Sequence, residues 1–293
     1  MRDAVVVVTG ASSGIGKATA RALAAKGARV VLACRNPDKA EAVRRDIVAS
    51  TGNERVEAMP LDLASFASIR RFAESFARRY DRLNVLVNNA GLMAKKRTVT
   101  EDGLETVMGV NHFGTFLLTV SLLGPLKEAG RARIVTVSSE AHRIARIRFD
   151  DLQSERGRYR PFQVYAQSKL ANILFTYELA RRLHGTGVTA NCLHPGVVRS
   201  SFFRPYAGRL ERLFLAAAGW WMASPEKGAE TSVYLASSPE VEGVTGKYFV
   251  RCRERRSSAA SYDAAAAARL WELSERVTGK TKETNLYLGC PSI

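Results

Sequence analysis

Tyr165 and Lys169 stand four residues apart in the stretch Val-Tyr-Ala-Gln-Ser-Lys-Leu-Ala-Asn-Ile-Leu, residues 164–174. In a helix that spacing stacks both side chains on one face, one turn apart. A phenol normally loses its proton near pH ~10, too high for easy exchange at neutral pH. A neighbouring ammonium stabilises the phenolate and is expected to lower that value. The pair is therefore a candidate general acid/base unit for interconverting an alcohol and a carbonyl. The same spacing also fits a solvated helix face, so the surrounding chain has to supply the rest of a site.

The N-terminus offers a place for a cofactor. Residues 4–9 form a β-branched run that reads as a buried strand. Thr9-Gly10-Ala11-Ser12-Ser13-Gly14-Ile15-Gly16-Lys17 follows, and residues 15–26 carry a helical pattern. Strand, glycine-rich turn and helix make the mononucleotide-binding opening of a doubly wound fold. The glycines let the backbone approach a pyrophosphate, and the helix N-terminus offers N–H groups and a favourable dipole. The spacing is not GxGxxG, and a tight strand–helix connection is the competing reading. A second strand, 29–34, ends at Arg35-Asn36-Pro37, with Asn36 and Pro37 as N-cap and first residue of a helix over 37–51. An acid gripping a ribose 2′-hydroxyl is expected roughly 20 residues past the glycines. Arg35 stands there instead, and Lys17 follows the last glycine. Two cations suit a 2′-phosphate, so NADP(H) is the preferred cofactor and NAD(H) the alternative. Asp38 reads as a first-turn helix acid.

The remaining pattern predicts strands at 56–61, 83–87, 133–137, 187–193 and near 248–250, and helices at 65–80, 225–237 and 264–277. Asn88-Asn89-Ala90-Gly91 would let a ligand come close at a strand's carboxyl end, where open α/β sheets bind. Residues 100–126 read as largely helical, yet Asn111, His112 and Gly114 are poor choices in mid-helix and point to an irregularity or a polar task. Ser138-Ser139 closes a strand, where a hydroxyl could bond a substrate carbonyl. The 140–161 connection is long, polar and Arg-rich, as active-site borders often are. Tyr165 is read as opening the next helix, which runs to about residue 184.

With 46% apolar residues in 293, the chain has material for a real core. A net charge of +16 raises nucleic acid or membrane as partners, but the basic residues are scattered and no recognition motif accompanies them. The cysteines (34, 192, 252, 290) and the histidines (112, 142, 184, 194) lack metal-ligand spacing, so no metal is expected. Unpaired cysteines fit a reducing cytoplasmic setting. The N-terminus enters Val5–Val8 at once, so no signal peptide or spanning helix is expected at the front. Without repeats or linkers, one domain over 1–293 is the economical reading.

In order along the chain, Thr9-Gly10-x3-Gly14-x-Gly16, Asp62, Asn88-Asn89-Ala90-Gly91, Asn111, Ser138-Ser139, Tyr165-x3-Lys169 and Pro195-Gly196 resemble the short-chain dehydrogenase/reductase family. The 110–116, 168–174, 194–200 and 246–249 stretches look like its retinol dehydrogenase branch. The resemblance implies a single Rossmann-type doubly wound α/β domain with a parallel sheet of about seven strands, helices on both faces and a C-terminal substrate lid near 201–224. It implies that Tyr165 exchanges the proton, that Lys169 holds the nicotinamide ribose and keeps the phenol acidic, that Ser139 rather than Ser138 orients the substrate oxygen, and that Asn111 helps hold a water of the proton path. Cofactor contacts are expected from Gly10, Ser12, Ser13, Gly14, Ile15, Gly16, Lys17, Arg35, Asn36, Asp62, Leu63, Asn89, Ala90, Gly91, Tyr165, Lys169, Pro195, Gly196, Val198 and Ser200. Ser200 stands where the family usually has threonine. The implied function is NADP(H)-dependent interconversion of an alcohol and an aldehyde or ketone, with a lipophilic, retinoid-like or long-chain substrate. A catalytically silent cofactor-sensing protein of the same fold is the alternative.

The lid region carries one more pattern. Leu210, Leu213, Phe214, Ala217 and Trp221 recur at helical spacing, with Arg209, Glu211 and Arg212 away from that face. It reads as a lid packed on its own core. The second reading adds peripheral contact with an anionic membrane, aided by Trp220, Trp221 and the basic surface. The long helices around 104–123 and 165–183 could pair in a homodimer.

Overall fold

The computed structural model describes residues 1–196 and 223–279. Eight strands form one sheet in the order β3-β2-β1-β4-β5-β6-β7-β8. They are β1 (Val5–Thr9), β2 (Arg29–Cys34), β3 (Val56–Pro60), β4 (Val85–Asn88), β5 (Ala132–Val137), β6 (Val188–His194), β7 (Tyr248–Val250) and β8 (Arg253–Arg255). Every neighbouring pair is parallel except β7 and β8. The eighth strand exceeds the expected seven. It consists of three exposed residues, Arg-Glu-Arg, and carries no apolar alternation that could signal it.

The continuous valine run of β1 is explained by burial on both faces. Val5 and Val7 enter one core, Val6 and Val8 the other. Parallel strands covered by helices on both sides read this way. One core is shared by α1 (Gly14–Ala25), α2 (Pro37–Thr51) and a later helix at Pro225–Ser237. The other takes α3 (Phe66–Arg79), the helical stretch from Thr106, a long helix at Pro161–Arg182 and the last helix at Ala264–Thr278. The strand order reverses between β1 and β4, which opens a crevice at the sheet's carboxyl edge.

Local chemistry sets the ends. Asn36 caps α2 by accepting from the Lys39 N–H at 2.8 Å, with Pro37 at the first position and left-handed Gly52 behind the helix. Two expected boundaries move. The 100–126 helix begins only at Thr106, turns π-helical over Gly109–Gly114, resumes at Thr115–Ser121 and breaks before Leu123–Glu128. The helix bearing Tyr165 starts one turn earlier than expected, with Pro161 in its first turn. The lid near 201–224 lies almost wholly outside the described residues. No helix among the described residues is long and apolar enough to cross a membrane.

Candidate active site

A cleft of ≈ 610 Å³ opens along the carboxyl edge of the sheet between β1 and β4. The β1 turn forms one wall with Gly10, Ser12, Ser13, Gly14, Ile15 and Gly16. Gly10 and Gly14 have φ of +65° and +54°, where side chains with a Cβ are strained. A Cβ on Gly16 would sit 2.4 Å from the Gly10 carbonyl oxygen and 2.5 Å from Asn89 Nδ2, so only glycine fits. Ser13 stands at the N-cap of α1 without a side-chain cap, and no acid occupies the first turn. The first N–H groups of that twelve-residue helix thus face a cleft suited to a phosphate. This glycine cradle and uncapped helix fit the pyrophosphate of a dinucleotide.

Asn89 ties the cradle to the neighbouring loop. Its Nδ2 donates to the Thr9 carbonyl at 2.8 Å, and Thr9 Oγ1 accepts from the Asn89 and Ala90 N–H groups, each at 3.0 Å. Asn88 turns the other way and donates to Thr119 Oγ1. Asp62, Leu63, Ala90 and Gly91 also line the cleft. Asp62 holds its own turn by accepting from the Ala64 N–H at 2.9 Å.

Arg35 reaches the cleft and Lys17 does not. Lys17 Nζ pairs with Asp46 Oδ2 at 2.9 Å, and Arg21 shares that carboxylate. Of the two cations read as phosphate ligands, only Arg35 is on the lining. Asn36 is spent on its helix cap and is also off the lining. Asp38 occupies the first turn of α2, the helix-dipole place read for it.

At the other end of the cleft lie Ser139, Tyr165 and Lys169. Ser139 acts on the Tyr165 hydroxyl and opposes the effect of its burial, whereas Ser138 Oγ donates to the Lys169 carbonyl at 2.8 Å. Both serines line the cleft, Ser138 buried and Ser139 partly exposed. Lys169 is buried, donates to the Val137 carbonyl at 3.0 Å and lies 5.7 Å from the Tyr165 ring centroid. The expected lowering of the phenol is reversed. Burial among Met93, Val107 and Val164 pushes Tyr165 up to about 12, with Ser139 acting the other way, and burial brings Lys169 down to about 8. Desolvation is the largest influence on both groups and outweighs any effect of one on the other.

Asn111 is fully buried in the π-helical turn. Its Oδ1 accepts from the Leu92 N–H at 2.8 Å, and its Nδ2 donates to the Leu92 carbonyl and to Ser168 Oγ at 2.9 and 3.0 Å. The side chain lies off the cleft lining but next to it. A Cβ on Gly91 would lie 3.2 Å from Lys169 Nζ and 3.4 Å from Asn111 Oδ1, so three elements meet at that glycine. The irregularity expected in mid-helix is this π turn, a feature frequent at functional sites.

Pro195 and Gly196 close the lining after β6; Val198 and Ser200 lie outside the described residues. Sequence reasoning did not single out Phe162, Glu140, Ala141 or His194, which also line the cleft. Phe162 could have been found, since it stands one helical turn before Tyr165 once Pro161 is taken as the helix start. Among the described residues no cluster could hold a metal ion.

A family model described as short chain dehydrogenase matches residues 4–208. Human retinol dehydrogenase 14 is 45% identical over 297 residues, covering 96% of this chain and 88% of its own. A solved Mycobacterium paratuberculosis protein superposes with a TM-score of 0.78 at 38% identity, covering 95% of this chain and 94% of its own. The Pseudomonas aeruginosa RhlG/NADP active-site complex gives a TM-score of 0.68 at 27% identity, covering 85% of this chain and 94% of its own.

Proposed function

The chain belongs to the short-chain dehydrogenase family, in its retinol dehydrogenase-like branch, and we propose that it uses NADPH to reduce lipophilic aldehydes or ketones, with Tyr165 as the acid. The chain is an oxidoreductase of CH–OH groups that works with a nicotinamide cofactor. The observation that carries the proposed reading is one cleft with Ser139, Tyr165 and the buried Lys169 at one end and a glycine cradle at the other. When bound, the nicotinamide supplies or takes up the hydride. The glycine turn and the first N–H groups of α1 would hold the pyrophosphate, Arg35 the 2′-phosphate and Lys169 the nicotinamide ribose.

The chain's own groups manage the proton. Tyr165 Oη and Ser139 Oγ converge as two donors for the oxygen on which charge develops. Tyr165 passes its proton to that oxygen in reduction and accepts it in oxidation. A phenol held at about 12 keeps its proton at neutral pH, which is the protonation state that reduction consumes. Asn111 braces the loop through Leu92 and the long helix through Ser168, which fixes the walls around Lys169.

The substrate reading draws on the retinol dehydrogenase relative and on the half-exposed ring of Phe162 at the cleft. The test is NADPH oxidation against aldehydes and ketones of graded chain length, with NADH beside it, for wild type and Arg35→Asp. Wild type should favour NADPH and longer chains. Arg35→Asp should shift preference towards NADH, since each charge-assisted bond is worth about 1.5–3 kcal/mol. Equal use of both cofactors by the wild type would remove Arg35 as the determinant.

A further inference from the structure

A buried histidine stands directly behind the serine of this site. His142 lies in the 3-10 turn Glu140–Ile144, three residues past Ser139, and is fully buried. Its Nδ1 is 2.6 Å from the Ser139 carbonyl oxygen and its Nε2 is 3.0 Å from the backbone nitrogen of Ser258. A backbone N–H can only donate, so Nε2 is the acceptor and carries no proton. The single ring proton is then on Nδ1 and is donated to Ser139. The two partners dictate the tautomer.

The surroundings keep the ring neutral and in place. Burial holds His142 below the ordinary imidazole range; Arg143 acts in the same direction, and the Ser139 carbonyl and Glu140 oppose it. The ring meets Tyr248 of β7 edge-on, centroids 5.1 Å apart. Tyr248 Oη donates to Glu140 at 2.8 Å, and Arg143 bonds both Glu140 and the Arg256 carbonyl. His194, at the end of β6, and Tyr262 also act on this cluster. The turn is thereby clamped from β7 and from the segment that follows β8.

Three contacts among the described residues hold the Ser139 backbone and hydroxyl from its own turn. Its carbonyl accepts from the His142 backbone N–H at 3.1 Å as well as from Nδ1, and its Oγ accepts from the Ala141 N–H at 3.3 Å. Of these, the Nδ1 contact comes from a side chain whose other nitrogen is held by the segment that follows β8.

We propose that His142 is a positioning residue for Ser139: locked as its Nδ1–H tautomer by the Ser258 N–H, it fixes the Ser139 carbonyl and so the direction in which Ser139 Oγ meets Tyr165 and the substrate oxygen. This rests on the role given to Ser139 above. The C-terminal segment around Ser258, distant in sequence, thereby helps set the geometry of the site.

The two ring nitrogens can be separated by substitution. In His142→Asn the amide nitrogen falls near the Nδ1 position and can still donate to Ser139. In His142→Gln the amide reaches the Nε2 position and can accept from Ser258 but abandons Ser139. We expect His142→Asn to keep kcat within about threefold of wild type, and His142→Gln and His142→Phe to lose about tenfold or more. KM for NADPH should be unchanged to within about twofold, since the cradle is untouched. His142→Gln keeps a partner for Ser258 and serves where His142→Phe does not fold. In a Ser139→Ala background, His142→Gln should change kcat by less than about twofold.

Equal losses for His142→Asn and His142→Gln, additive with Ser139→Ala, would overturn the proposal and leave His142 a packing residue. Wild-type kcat in His142→Gln alongside a collapsed Ser139→Ala would overturn the positioning role alone. Wild-type kcat in Ser139→Ala would overturn the site reading with it.

Discussion

Tyr165 and Lys169 illustrate how a spacing can be right while the electrostatics inferred from it are not. The four-residue interval places both on one helix, and Lys169 lies over the Tyr165 ring. Their protonation is governed by burial, which a sequence displays only indirectly. Lys169 titrates at 10.5 as an ordinary side chain and at about 8 in the folded protein. Between those values the unfolded chain binds a proton that the folded one has lost. Stability from this group therefore rises as pH climbs through the window, and below it the folded state bears the cost of a buried ammonium. Tyr165, raised from 10.0 to about 12, acts oppositely above pH 10. Chemical denaturation of the cofactor-free protein should show wild type gaining on Lys169→Met from pH 8 to pH 10. Parallel curves over that range would mean that the ammonium is not desolvated as described.

At the scale of elements, most strands and helices were legible because each has its own local signal. The valine run of β1 and the Asn36-Pro37 start of α2 each answer to one physical cause. What escaped had no such signal. β8 has three exposed residues and, among the described residues, pairs with β7 alone, and the start at Pro161 sits beside an Arg-rich loop. Lys17 follows the glycines as a phosphate ligand might, yet Asp46 of α2, which no local pattern places there, takes its charge. The glycine turn, by contrast, is strictly constrained. Gly16→Ala should cost about 1–3 kcal/mol through overpacking against the Gly10 carbonyl and Asn89, and it should weaken NADPH binding at the same time. Thermal melts with a fluorescence titration of NADPH check both. An unaltered affinity would separate the cradle from the cofactor.

The whole molecule joins a parallel sheet, buried on both faces, to a strongly basic exterior with a net charge of +16. The order of motifs along the chain made its family legible, because each lies at a carboxyl strand end or the helix that follows. The lid pattern at 209–222, with Trp220 and Trp221, lies outside the described residues. Its two readings separate in cosedimentation with vesicles. A lid resting on membrane predicts that wild type sediments with anionic vesicles at low salt, leaves them as salt rises, ignores neutral ones, and loses this in Trp220→Ser/Trp221→Ser. Wild type that ignores anionic vesicles at low salt would leave only the internally packed lid.

The most direct test of the central claim follows the hydride and the proton together. NADPH deuterated at both nicotinamide C4 positions is incubated with a medium-chain aldehyde and either wild type or Tyr165→Phe, and the alcohol is analysed by mass spectrometry. Wild type should place one deuterium on the carbinol carbon. Tyr165→Phe should bind NADPH as well as wild type does while forming alcohol slower by about 10²–10⁴-fold. Alcohol formed by wild type without deuterium, or formed at the wild-type rate by Tyr165→Phe, would contradict the account.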